Sequence, residues 1–147
     1  MKKLALSLLA VSLVMQICSG CAGSSDKFTV KTKDGQMTAT VSGDQQLPPD
    51  FPIPKYNNAK VTVFTDTKQG NDRNRCAMLE SGDAPESICQ FYKSHLEQNG
   101  WTIKNETTSS QLGSFIEAEK GTDRLSISAM KGSGPAATVI SLNLTSS

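Results

Sequence analysis

The chain has 147 residues, of which 37% are apolar and 20% charged, the size and composition of one ordinary globular domain, and this excludes a disordered chain. The formal net charge is +1, but Lys2 and Lys3 fall in a segment expected to be removed, leaving 13 basic groups against 14 acidic ones. A body without a basic surplus cannot replace the counterions that phosphates release on binding, so nucleic acid is not an expected partner.

Met1-Lys2-Lys3 gives a positive start, and Leu4 to Ile17 is an apolar run broken only by Ser7, Ser12 and Gln16. That is the layout of an export signal. The run of roughly 14 residues is shorter than the ~20 needed to cross the hydrocarbon layer, which argues against a permanent transmembrane helix. Cys18-Ser19-Gly20-Cys21 follows and resembles the lipobox of bacterial lipoproteins, in which the last Cys is acylated and the chain is cut just before it. The resemblance implies a signal peptide over 1–20, lipid on Cys21 and a short linker over 21–27.

One position departs from that pattern, because lipoproteins usually carry Leu or another aliphatic residue where Cys18 stands. Modification at Cys18 would instead require cleavage after the bulky Ile17. An ordinary signal peptide leaving Cys21 as a free thiol is the other alternative. Each buried methylene contributes about 0.8 kcal/mol and one acyl chain anchors only marginally, whereas the three chains of bacterial lipoproteins hold permanently. Ala22 replaces the Asp that favours retention in the inner membrane, which points to the outer membrane in a host with two.

Phe28 to Val41 reads as a β-hairpin (28–42) turning at Asp34-Gly35. Lys33 opposite Gln36 then sets Val30 against Ala39 and Phe28 against Val41, with one apolar and one polar face. A two-stranded ribbon is marginal alone, so its apolar face needs a support. Leu47-Pro48-Pro49-Asp50-Phe51-Pro52-Ile53-Pro54 is a stiff connector within 43–58, where proline biases the backbone to extended forms; a proline-rich recognition ligand is the lesser alternative.

Residues 59–147 read as an α+β domain. Lys60 to Thr67 and Arg73 to Glu80 are predicted strands; Asp66, Asn71 and Asp72 lack the spacing of a calcium loop and suit turn chemistry better. Asp83-Ala84-Pro85-Glu86 predicts a helix capped by Asp83, with Ala84, Ile88, Phe91, Tyr92, His95 and Leu96 on one face and Gly100 ending it. Trp101 to Thr107, Ser114 to Glu119, Arg124 to Met130 and Ala137 to Leu144 follow as a meander, with Glu119 facing Arg124 and Ile116 facing Ile127. The expected architecture is one amphipathic helix on an antiparallel sheet, in the order β-β-α-β-β-β-β, behind the N-terminal hairpin.

Phe51-Pro52-Ile53-Pro54-Lys55-Tyr56, followed by Phe91-Tyr92, Leu96 and Gly100-Trp101, resembles a group of small bacterial lipoproteins with an FPxPxY … FYxxxLxxxGW pattern. The resemblance covers roughly Pro49 to Trp101. It implies a fold and an envelope location and carries over no catalytic residue.

Cys76 and Cys89 remain in the exported body, and an oxidising compartment favours pairing them. Closing that loop would contribute roughly 3 kcal/mol in the chain-entropy model. Two buried free thiols are the alternative, and redox chemistry lacks a CxxC pair. His95, the only histidine, lies on the apolar helix face as a packing residue, and Glu117 and Glu119 share a strand face as solvated carboxylates do. No metal spacing, phosphate loop or nucleophile elbow is present, so no cofactor and no enzymatic activity are expected.

If the helix covers the face holding Val61, Val63, Ile116, Ile127 and Ile140, alternation sends Phe64, Phe115 and Val139 to the other face as a candidate binding surface. Either the hairpin caps that surface or a partner does, and the hairpin is the expected cover. The expectation is a membrane-anchored periplasmic lipoprotein acting as a non-enzymatic binding or envelope-accessory module, with the membrane as partner through Cys21 and an envelope protein as a candidate second partner. The alternatives are a small-ligand sensor or carrier and an unrecognised hydrolase.

Overall fold

The computed structural model describes residues 26–109, 113–133 and 138–147. The signal segment with Cys18, Cys21 and Ala22 lies outside them. Alternating strand sequences and one amphipathic segment give β1 (Asp26–Thr32), β2 (Gly35–Gln45), β3 (Lys60–Gln69), β4 (Asp72–Ser81), α1 (Pro85–Gln98), β5 (Thr102–Ser109), β6 (Gly113–Lys120), β7 (Asp123–Lys131) and β8 (Thr138–Ser146). The fold is α+β. All strands join one antiparallel sheet in the order β1-β2-β3-β4-β8-β7-β6-β5.

The period of two places the core on one face. Ala77 of β4 faces Leu142 of β8, which faces Ile127 of β7, which faces Ile116 of β6, so one apolar row crosses four strands. All four side chains are buried. The β6–β7 register pairs Glu119 with Arg124 and Ile116 with Ile127, as their alternation predicts. β8 carries Ile140, Leu142 and Leu144 between β4 and β7 and is the strand that joins the two halves of the sheet.

Eight strands spaced about 4.8 Å apart span roughly 34 Å, whereas a helix with its side chains is only about 10 Å wide. One helix therefore cannot cover the inner face. α1 lies over β5, β6 and β7 and buries Ile88, Cys89, Tyr92 and Leu96 there. The proline-rich connector covers β3 and β4. Its Phe51 packs edge-on against Phe64 with ring centroids 5.9 Å apart, and Arg75 lies over the Phe51 ring at 5.4 Å. Arg75 Nη1 also donates to the Asp50 carbonyl at 2.9 Å.

Helix boundaries differ from expectation at the start and match it at the end. Ala84, not Asp83, is the N-cap, in extended conformation and exposed, and Pro85 opens the helix. Asp83 is engaged elsewhere: its N–H donates to Ser81 Oγ at 3.1 Å and its carbonyl accepts from Thr138 Oγ1 at 2.6 Å. At the other end Gly100 takes φ +74°, and the Trp101 N–H returns to the Leu96 carbonyl at 3.0 Å. This is the left-handed glycine ending that brings Trp101 back onto the core.

The N-terminal hairpin corrects two expectations. Its register is Val30 with Met37 and Phe28 with Ala39, two residues from the expected pairing, and the loop is Lys33-Asp34. Gly35 pairs with Thr32 and lies so close to β3 that a Cβ there would collide with the Lys68 carbonyl. The glycine serves the approach of two strands and not the turn. Nor does the hairpin fold over the sheet: β2 pairs with β3 and extends the sheet edge.

Candidate binding face of the sheet

The outer face, opposite α1 and the connector, follows from register. Val41 of β2 faces Val63 of β3, which faces Met78 of β4. Met78 faces Ser141, then Ser128, then Phe115. Next to this row, Glu80, Val139 and Met130 face one another in turn. Phe28, Ala39 and Thr65 form a parallel row, as do Val30, Met37 and Thr67.

Among the described residues, six large apolar side chains are left exposed, Phe28, Val30, Met37, Val41, Met78 and Met130, with relative accessibilities from 38% to 65%. By register all six lie on this outer face. Val63, Phe115 and Val139 are half-buried among them. Chance scatter would divide such residues between both faces and the loops. A contiguous apolar surface is what marks a contact site on a soluble domain.

Two of the three residues expected on this surface are there, Phe115 and Val139. Phe64 is not. A β-bulge in β3 shifts the pairing between Val61 and Val63, so Val61 faces Leu79 while Val63 faces Met78 and Phe64 faces Ala77. One inserted residue reverses the side on which every later side chain points. Phe64 is consequently buried under the connector, and Val63 takes its place outside. Met78 and Met130 were not anticipated as site residues, although their parity with Val139 follows once Leu79 and Ile140 are placed inside.

The expected disulfide between Cys76 and Cys89 does not form, and both thiols are free. Cys76 has the parity of Met78 and sits on the outer face near Ser141, whereas Cys89 lies under the helix near Ser114. The sheet itself stands between them. Burial pushes both thiols above the ordinary range, which favours the protonated form at neutral pH.

The other polar groups are spread over the domain. His95 is half-buried on α1, its Nδ1 3.3 Å from Asn99 Nδ2. Glu119 lies on the outer face, 3.4 Å from Lys104 Nζ and 3.5 Å from Arg124 Nε, with Glu117 exposed one position along that face. Arg73 clamps the connector, donating from Nε and Nη2 to the Asp66 carboxylate at 2.9 and 2.6 Å and reaching Asp50 at 3.1 Å through Nη1. Arg73 holds the Asp66 carboxyl below the usual range. Among the described residues, no cluster of His, Cys, Asp and Glu is arranged to hold a metal ion, and no helix is long and apolar enough to cross a membrane.

A family model described as START domain-like matches residues 60–137, just over half of the chain. The chain belongs to the START domain-like family. Comparison with curated proteins and with solved structures gives no match. The START domain-like segment spans β3 to β7 and stops one residue before β8. Its strands form two blocks, β3-β4 and β5-β6-β7, and in this START domain-like chain they meet only through β8. The hairpin and the connector also lie outside the matched segment, so much of the outer apolar face is an addition to it.

Proposed function

We propose that this START domain-like protein is a bacterial envelope lipoprotein, tethered through lipid on Cys21, facing the periplasm and held at the outer membrane where the host has two. Its domain acts as a non-enzymatic binding module through the outer face of the sheet. The observation that carries this reading is the collection, on that one face, of every large apolar side chain exposed among the described residues. The dispersal of the candidate reactive groups agrees with it: His95 lies on the helix, Glu117 and Glu119 on the outer face, and the two thiols on opposite sides of the sheet.

A small-ligand carrier would need room between α1 and the sheet. Ile88, Tyr92 and Leu96 are instead packed there to zero accessibility. The test is twofold. N-terminal mass spectrometry of protein isolated from host envelopes is expected to find a chain beginning at acylated Cys21, and a chain beginning at Met1 would reject the reading. Met78→Asp combined with Met130→Asp is expected to leave the fold intact and abolish contacts captured by crosslinking in cells. Unchanged contacts would reject the outer face as the binding surface.

A further inference from the structure

The hairpin is built the wrong way round for its sheet. In β3 to β8 most apolar side chains turn inward to α1 and the connector, whereas the hairpin turns Phe28, Val30, Met37 and Val41 outward and puts Lys27, Thr29 and Lys31 on the inner side. A strand pair added only to widen the sheet would continue the inner apolar layer or be polar on both exposed faces. Side chains such as Phe28, at 65% accessibility, gain nothing in that position unless something apolar lies against them.

The direction of the chain indicates what that is. Antiparallel pairing brings the start of β1, the end of β2, the start of β3, the end of β4, the start of β8 and the end of β7 to one end of the sheet. Val41, Val63, Met78, Val139 and Met130 are gathered on the outer face at that end. In β3, β4, β8 and β7 the far end of the same face carries the polar side chains Thr67, Asn74, Thr145 and Arg124, and only in the hairpin does the apolar surface continue to that end, through Val30 and Met37. Cys21 stands five residues before Asp26, so a tether there reaches at most about 17 Å from the start of β1. The anchor and the apolar band across β3, β4, β8 and β7 are thus held at the same end.

We propose that the apolar end of the outer face rests on the surface of the lipid bilayer that holds the anchor, with α1 and the connector turned to water. This rests on the reading that Cys21 is acylated. Anchoring supplies the proximity, and Val41, Met78 and Met130 then enter the headgroup layer at little further entropic cost.

The experiment uses the full chain purified from envelopes, its N-terminal mass recorded first, and reconstituted in phosphatidylcholine vesicles. A photoreactive benzoylphenylalanine replaces Met130 in one sample and Arg124, at the far end of β7 and roughly 20 Å away along the strand, in another. Several-fold more phospholipid adduct from position 130 than from 124 is the expected result. Equal labelling, no lipid adduct from 130, or crosslinking of 130 to a second copy of the chain would each overturn the inference while leaving the lipoprotein reading standing on the recorded mass. An unacylated N-terminus would overturn both together.

Discussion

Tyr56 and Phe91 meet edge to face, with ring centroids 5.1 Å apart and planes at 89°. Tyr56 closes the connector and Phe91 stands on α1, so two parts of the chain separated by β3 and β4 are joined in one aromatic cluster that also includes Tyr92. The spaced pattern FPxPxY … FYxxxLxxxGW is therefore one packing unit, in which Phe51 and Tyr56 secure the connector and Leu96 and Trp101 secure the end of the helix. Aromatic pairs of this geometry couple by about 1 kcal/mol beyond their area burial. A double-mutant cycle with Tyr56→Ala and Phe91→Ala, read by denaturant unfolding, is expected to return a coupling of that size. A coupling near zero would show that the connector and α1 are stabilised independently.

Inner and outer faces should respond to substitution very differently. Ile127→Ala, at 2% accessibility, is expected to cost about 3 kcal/mol. Phe115→Asp on the outer side of the neighbouring strand should cost no more than about 1 kcal/mol, because water already reaches that side chain. Comparable losses from the two would mean that a further element covers the outer face.

Acid should weaken the clamp on the connector. The carboxyl of Asp66 is held below its ordinary range, chiefly by the two hydrogen bonds from Arg73. A folded pKa below the unfolded one contributes stability that is present at neutral pH and is lost as pH falls through the unfolded value, about 3.9, towards the folded one. Asp66→Asn should therefore be about 1 kcal/mol less stable than the parent at pH 7. That difference should close as the solution is acidified below about pH 4. A gap that persists in acid would assign the loss to packing and not to charge.

The two thiols provide a separate check. Dithiothreitol should leave the melting temperature unchanged, and intact mass after alkylation in denaturant should show both Cys76 and Cys89 modified without prior reduction. Under native conditions the half-exposed Cys76 should react first and Cys89 only on unfolding. A melting temperature lowered by reductant would show a bridge that crosses the sheet, contrary to the strand parity.

β8 should be indispensable although it lies outside the family match. Ending the chain at residue 137 removes Ile140, Leu142 and Leu144 and separates β4 from β7. The shortened domain is expected to lose cooperative unfolding, as followed by circular dichroism. A sharp transition would show that the two blocks of strands pair without it.

Much of the architecture is written in local pattern. The β6–β7 register was legible because charge and apolar pairings agree there, and Gly100 after a helical pattern marked the end of α1. Phe64 was misplaced because Val61 and Val63 alternate regularly in sequence, and the bulge at Thr62 exists only through pairing with β4. The hairpin slipped by two residues in prediction because both registers keep the same side chains on the same faces. What decides between them is contact of Gly35 with β3, which no local rule contains. The cysteines misled for a similar reason: Cys76, Ala77, Met78 and Leu79 are all apolar enough for either side, and only neighbouring strands fix which pair turns inward.

The tether and the outer face can be tested in a single comparison. Met78 and Met130 are oxidised by hydrogen peroxide at rates set by their access to water, which can be read by peptide mass spectrometry on isolated envelopes. The comparison is with the same domain exported behind an ordinary cleavable leader and lacking Cys21. The account predicts that both methionines oxidise several times more slowly in the envelope-bound protein than in the released domain. Equal rates in the two forms would contradict it, because the apolar face would then be as wet at the membrane as away from it.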